Sequence, residues 1–466
     1  MISRFVPFAD AASSGLPLGQ LLRLSLFQVS VGMAAVMLLG TLNRVMIVEL
    51  DLAATLVAAM IALPVLVAPM RAVLGFRSDT HRSAIGWKRL PYLWFGALWQ
   101  FGGLAIMPFA LLILGGYDQM RVVPYAGEIA AGTAFVMTGL GMHMTQTAGL
   151  ALAADRADDA TRPRVVALLW VAFLGGMLVS SLLIGWLLRD FDPVLLIRVV
   201  QGTAVATLAL NLVALWKQEA PRPQTAAERA APRPPFRAAW TDLARGGTAG
   251  RLILAVFLGT MAFAMQDVLL EPYGGAILGL SVSATTYLTA TWAVGALAAF
   301  ALAARALAAG LHPTRLAMRG VLAGIAGFAA VILSAPVESA PIFFAGALLI
   351  GFGGGLFAVA TLMTAMTLPT GGLAGRGLAL GVWGAAQATA QGLATALGGA
   401  TRDGVQILAD GGALGAALQL PTTGYSVVYH AEIGLLFLTL LALAPLVRAP
   451  VPQRPSTRLE LADFPT

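Results

Sequence analysis

Apolar residues in this chain do not recur at the spacing of a half-buried soluble helix. They come in long, nearly unbroken runs. A helix needs about 20 mainly apolar residues to cross a bilayer, and twelve such runs can be read. The first six are roughly Leu21 to Ile47, Leu52 to Leu74, Tyr92 to Leu114, Ile129 to Ala153, Val165 to Leu188 and Pro193 to Trp216. The second six are Leu252 to Tyr273, Ala284 to Leu307, Leu316 to Leu333, Ile342 to Met366, Leu378 to Leu397 and Tyr429 to Val447. The ninth is short and rich in Gly and Ala. Hydrocarbon offers the backbone no hydrogen-bond partner, so each run must be a helix. The expected class is an all-α membrane protein with twelve transmembrane helices.

The runs are not evenly spaced. Lys217 to Arg251, containing EAPRPQTAAERAAPRPPFRAAW, has the Pro, Ala and Arg content of a linker without a core. It divides the chain into a six-helix bundle (1–216), a linker (217–251) and a second six-helix bundle with a tail (252–466). Two such bundles are the organisation of a major facilitator. The Gly-rich segment from Thr401 to Val428 reads as an irregular loop with one short surface helix. The N-terminal MISRFVPFADAASSGLPLGQLLR lacks the compact apolar core of a cleaved signal, so the first run is expected to be retained.

Composition agrees: 58% of residues are hydrophobic and 11% charged, where soluble domains carry about 25% charged residues. The 29 Lys and Arg exceed the 22 Asp and Glu, and they lie in short loops. An even number of spans puts both termini on one side. Calling that side cytoplasmic leaves only Arg44, Arg121, Arg189, Arg198 and Arg402 elsewhere, as the positive-inside rule requires. No basic helix or aromatic box suggests nucleic acid. With no cysteine, disulfides, thiolate metal sites and cysteine nucleophiles are excluded.

Chemistry-bearing residues inside the runs are few: Gln28, His143, Gln146, Gln266, Asp267, Glu271, Gln387, Gln391 and Glu432. An interior otherwise lined by Ala, Gly, Leu, Met and Phe suits a flat or chain-like apolar ligand better than a sugar. His143, with Gln146 on the same face near the middle of the fourth run, has two readings. One is a hydrogen bond to a neighbouring helix, and the other is axial ligation of a chlorin magnesium. His81 and His312 fall in loops and His430 at the outer end of the twelfth run; none forms a metal-binding pair. GFGGG lies inside a run with no following Lys-Ser/Thr, so it is packing and not a phosphate loop. No hydrolase triad, zinc motif or nucleotide fingerprint supports an enzyme.

MQDVLLEPYGG, Met265 to Gly275, is the exception to this avoidance of charge. Measured from Arg251 at 1.5 Å per residue, Asp267 stands about 24 Å and Glu271 about 30 Å along its helix. Helical spacing of i and i+4 puts the two carboxylates on one face, and Pro272 with Gly274 and Gly275 bends or ends the helix. The group is either an interfacial cap in headgroup water or a polar contact site for a ligand or partner helix. In the loop GFRSDTHRSAIGWKR, Gly75, Asp79, Arg82, Lys88 and Arg89 loosely match the major-facilitator loop signature. There Asp79 could latch the cytoplasmic side against an arginine or a helix N-terminus. DRADDATRPR, Asp155 to Arg164, offers partners of both signs.

Four stretches together carry a family resemblance. LSLFQVSVGMAAVMLLGTLNRVMIVEL, GFRSDTHRSAIGWKRLPYLWFG, TQTAGLALAAD and MQDVLLEPYGG resemble the PucC/LhaA family, the bacteriochlorophyll delivery branch of the major facilitators. The resemblance runs through essentially all twelve spans. It implies a protein of the cytoplasmic and intracytoplasmic photosynthetic membrane of purple bacteria. It also implies a role in antenna assembly, with light-harvesting α/β polypeptides and bacteriochlorophyll synthase as partners. Bacteriochlorophyll a would be a transient ligand and carotenoid a further one, with no permanent cofactor. His143, Gln146, Gln266, Asp267 and Glu271 are then the expected pigment or partner contacts. The alternatives are a chaperone that sequesters antenna polypeptides without pigment, and a facilitator of a hydrophobic solute.

Overall fold

The computed structural model describes residues 11–13, 15–66, 87, 89–115, 125–157, 161–219, 247–366 and 376–448. The first helix, α1 (Leu18–Ala35), continues through two wider π-helical stretches, Val36–Leu42 and Val45–Glu49. There follow α2 (Ala54–Leu66), α3 (Leu90–Leu114), α4 (Ala126–Arg156), α5 (Arg162–Leu187) and α6 (Pro193–Leu215). The second half comprises α7 (Gly247–Ala264), α8 (Val282–Ala308), α9 (Pro313–Ser334), α10 (Ala340–Met366), α11 (Arg376–Asp410) and α12 (Thr423–Leu443). Among the described residues there is no strand. Among the described residues, nine segments are long and apolar enough to cross a membrane. The described part of α2 is too short to count, and Gly, Thr and Gln dilute the apolar content of α4 and α11.

Helix starts follow local chemistry. Asp192 accepts from the backbone N–H groups of Val194 and Leu195 ahead of α6, with Pro193 at its first position. Ser281 caps α8 in the same way, and His312 Nδ1 accepts from Thr314 N to cap α9.

Packing repeats with a period of six helices. In the first half α1 packs on α5 and α6, and α3 on α4 and α6; in the second α7 packs on α11 and α12, and α9 on α10 and α12. The seams between the bundles, α2 with α11 and α5 with α8, exchange under the same rule. This is the two-bundle, all-α arrangement of a major facilitator, as expected. The ninth run forms a full 22-residue helix.

The segment after Thr401 differs from expectation. α11 runs on to Asp410, and α12 starts at Thr423, so the loop shrinks to 411–422 with one 3-10 turn at Ala416–Leu418. The extension is held from the side: Gly399 packs on the Ala54 carbonyl, and Gln406 accepts from Gly424 N.

Span seven is broken. α7 ends at Ala264, a 3-10 turn covers Met265–Val268, and a short helix, Leu270–Ala276, resumes. Proline lacks an N–H and clashes with the carbonyl four residues earlier; for Pro272 that is Val268. The orphaned Val268 carbonyl accepts instead from Asn43 Nδ2 of span one, at 3.0 Å. Gln266 Nε2 bonds the Phe263 carbonyl and competes for the helix end. The short helix closes at Gly279 (φ 63°), where Leu280 N reaches back to the Gly274 carbonyl.

Candidate functional site

The break divides the carboxylates of span seven between two environments. Glu271 turns toward span one and α8. It is 5% exposed, and Oε1 accepts from the Thr289 hydroxyl while Oε2 has no partner. Gly40, in the π-helical stretch, makes room: a Cβ there would stand 2.6 Å from Oε1. The charge acting on Glu271 is Arg44, itself 4% exposed. Arg44 donates to Glu49 and, at 3.2 Å, to the Leu280 carbonyl, so it ties span one to the turn after span seven. Glu271 is therefore enclosed by protein and does not stand in headgroup water.

Asp267 turns toward α11 and α12. Gln266 Nε2 donates to its Oδ1 at 2.6 Å, and Gln391 of α11 faces it. Beyond it lies Glu432 of α12, 0% exposed, with no hydrogen bond to either oxygen; the Gln266 backbone amide faces it without closing one. Tyr273 meets Tyr425 and Tyr429 edge-on, with centroids 5.4 and 5.5 Å away. The expectation that Asp267 and Glu271 share one face does not hold. It assumed a continuous α-helix, and the 3-10 turn removes the 100° step per residue on which that spacing depends.

His143 and Gln146 are not part of this group. They sit on α4, which packs against α1, α2, α3 and α5, and Gln146 Nε2 reaches Gln28 Oε1 at 3.4 Å. His143 is half-buried there. Nearby in the same bundle Ser30 Oγ accepts from Gln100 Nε2 (2.9 Å) and Asn211 Nδ2 (2.8 Å), and donates to the Thr207 carbonyl. Gln387 is half-buried on α11, and His430 is exposed, with Nδ1 2.7 Å from the Ser426 carbonyl.

Of the expected latch, Gly75, Asp79, Arg82 and Lys88 lie outside the described residues. Arg89 bonds Asp155 at 3.0 Å, while Glu219 accepts from the backbone of Arg89 and Leu90. These bonds cap α3 and join it to α4 and the start of the linker, within one bundle. A clamp between bundles lies at the opposite face. Asp403, on the part of α11 that extends past the apolar run, accepts from Thr55 N (2.6 Å) and Thr55 Oγ1 (2.7 Å) at the start of α2. Arg402 holds its other oxygen and lies 4.7 Å over the Tyr425 ring. Burial opposes ionisation of Asp403, but the bonds from Thr55 and Arg402 outweigh it and hold the carboxyl below its usual range.

Sequence reasoning missed Asn43, Arg44, Thr55 and Asp403 as structural partners. A signal was present for two of these contacts: Arg44 and Arg402 were among the few basic residues left off the side expected to be cytoplasmic.

The sequence pattern of the PUCC protein family matches residues 41–451. The chain belongs to the PUCC protein family. This PUCC-family chain is 61% identical over 467 residues to an uncharacterized protein in the puhA-bchM intergenic region of Rhodobacter capsulatus, covering 99% of this chain and 97% of that protein. It is 51% identical over 407 residues to Protein PucC of Rhodovulum sulfidophilum, covering 87% of this chain and 89% of that one. In structure it resembles a bacterial homolog of the human lysosomal transporter Spinster in an inward-facing, unoccupied conformation. The TM-score is 0.64, at 13% identity, over 91% of this chain and 95% of that one. That likeness concerns the fold alone. Family and fold make this a non-enzymatic, multi-pass membrane protein.

Proposed function

We propose that this protein assists assembly of light-harvesting complexes by holding bacteriochlorophyll within the membrane and passing it to the antenna α/β polypeptides. Membership of the PUCC family over most of the chain carries this reading, because that family is tied to antenna assembly. Support also comes from an interior that is apolar outside a few polar groups, which matches a ring with a long isoprenoid tail. Carotenoid is a second cargo of the same character. His143 offers an imidazole to the cargo's magnesium, with Gln146 beside it. Gln266 and Asp267 meet keto or ester groups at the break in span seven, while Glu271, bonded to Thr289, shapes that break. Bacteriochlorophyll synthase is the proposed donor. The proposed setting is the cytoplasmic and intracytoplasmic membrane, with both termini cytoplasmic.

The test is to purify a tagged copy in mild detergent, remove antenna polypeptides and record the near-infrared spectrum. Stoichiometric bacteriochlorophyll bands, reduced several-fold in His143→Leu, are expected. Antenna polypeptides that co-purify with no retained pigment would instead identify a chaperone that only sequesters them.

A further inference from the structure

Three carboxylates lie in the second bundle where sequence reading found an almost charge-free interior, and one has no bonding partner. Glu432 has zero exposure and both oxygens unbonded. An ionised carboxylate in that condition costs several kcal/mol in desolvation unless a counter-charge or donors compensate it. The groups around it supply neither. α12 packs on the 3-10 turn Met265–Val268, so the span-seven groups acting on Glu432 are another carboxylate, Asp267, and the Gln266 amide. From its own helix, Tyr429 is enclosed and its hydroxyl has no partner; the Tyr425 hydroxyl likewise has none. Tyr273, from the short helix, donates to the Val331 carbonyl at 3.4 Å. From α11, Gln391 faces Asp267. Among the described residues, Arg44 is committed to Glu49 and the Leu280 carbonyl, and Arg402 to Asp403.

We infer that Asp267 and Glu432 together bind one exchangeable proton, making the break in span seven a proton site. Two facing carboxyls in a dry interior cannot both carry charge without a counter-ion, and one proton between them removes the conflict. The two have different tasks. Glu432 has no accessible surface, whereas Asp267 is half-buried, so exchange with the medium runs through Asp267. Gln266 positions that carboxyl through the bond from its Nε2 to Oδ1. The site belongs to a segment whose backbone is already broken, and the Val268 carbonyl in that segment is held by Asn43 of the other bundle. Gain or loss of the proton therefore acts where the bundles meet. This inference is independent of the pigment reading.

The experiment is infrared difference spectroscopy on the full chain in lipid nanodiscs, with H₂O/D₂O exchange across neutral pH. A carboxylic-acid C=O band should be present in the wild type at pH 7 and shift in D₂O. It should be lost in Glu432→Gln, shift or weaken in Asp267→Asn, and stay unchanged in Asp190→Asn, an exposed acid. A wild type with no acid band at pH 7 overturns the proposal and means that a bound cation satisfies two ionised carboxylates. A band that survives unchanged in both Glu432→Gln and Asp267→Asn overturns it as well. If Glu432→Gln does not accumulate, the wild-type band and Asp267→Asn still decide the question.

Discussion

The two bundles are alike in packing and unlike in chemistry. In the first, α3 and α4 approach so closely that a Cβ on Gly141 would collide with the Gln100 backbone. In the second, the corresponding pair α9 and α10 does the same: a Cβ on Gly353 would stand 2.5 Å from the Gly320 carbonyl. The polar centres diverge. The first bundle gathers Ser30, Gln100, Asn211 and Thr207, all neutral, around one hydroxyl. The second gathers Asp267 and Glu432 beside a broken helix. Small residues at helix crossings are a requirement of dense packing between helices and recur wherever that crossing recurs. Buried acids are expensive, and among the described residues they lie in the second bundle alone, which makes that bundle the one to probe for chemistry.

The symmetric part of the comparison should be the hardest to alter without loss. Gly141→Leu and Gly353→Leu push a side chain into backbone, and each is expected to cost about 3 kcal/mol or more. Size-exclusion chromatography should show both losing their monodisperse peak; a large loss for one alone would end the claim of equivalent packing. Next comes the neutral centre. Ser30→Ala leaves the Gln100 and Asn211 amides without their shared partner, at a cost of about 2 kcal/mol, seen as a lower Tm by tryptophan fluorescence.

The seam between the bundles is weaker. Asp403→Asn keeps an acceptor for Thr55 N but removes the charge that faces Arg402 and the start of α2, worth up to about 1 kcal/mol. Because folding depresses the Asp403 pKa, its contribution is fully present above the unfolded value of about 3.9 and is lost as pH falls through the lower folded value. The stability gap between wild type and Asp403→Asn should therefore be constant from pH 5 to 7 and shrink below about pH 4. A gap that grew on acidification would contradict the assignment. The smallest effect belongs to Glu432→Gln, which keeps the shape of a protonated carboxyl. Its change in stability should stay under about 1 kcal/mol, far below the 3 to 5 kcal/mol expected for breaking a buried ion pair.

Much of the fold was legible because a bilayer makes each span solve its own backbone problem. The apolar runs needed no partner to interpret. The candidate site was legible only in part. Pro272, Gly274 and Gly275 announced a bend, but its position at Met265–Val268 depends on Asn43, 225 residues away, accepting the task of bonding a freed carbonyl. Glu432 was visible as a polar residue near the end of a run. That it faces Asp267 follows from how α12 lies against span seven, which no local pattern encodes.

Sequence by itself determined that this chain is a twelve-span, two-bundle membrane protein with few polar groups inside, since span length and charge placement are local properties set by the bilayer. Tertiary structure decided which of those groups meet. It separated Asp267 from Glu271 by breaking their helix, enclosed Glu271 with Thr289 and Arg44, and set Asp267 against Glu432. The reason is that a buried charge takes its properties from neighbours brought in by other helices, and the order of residues along one helix does not specify them.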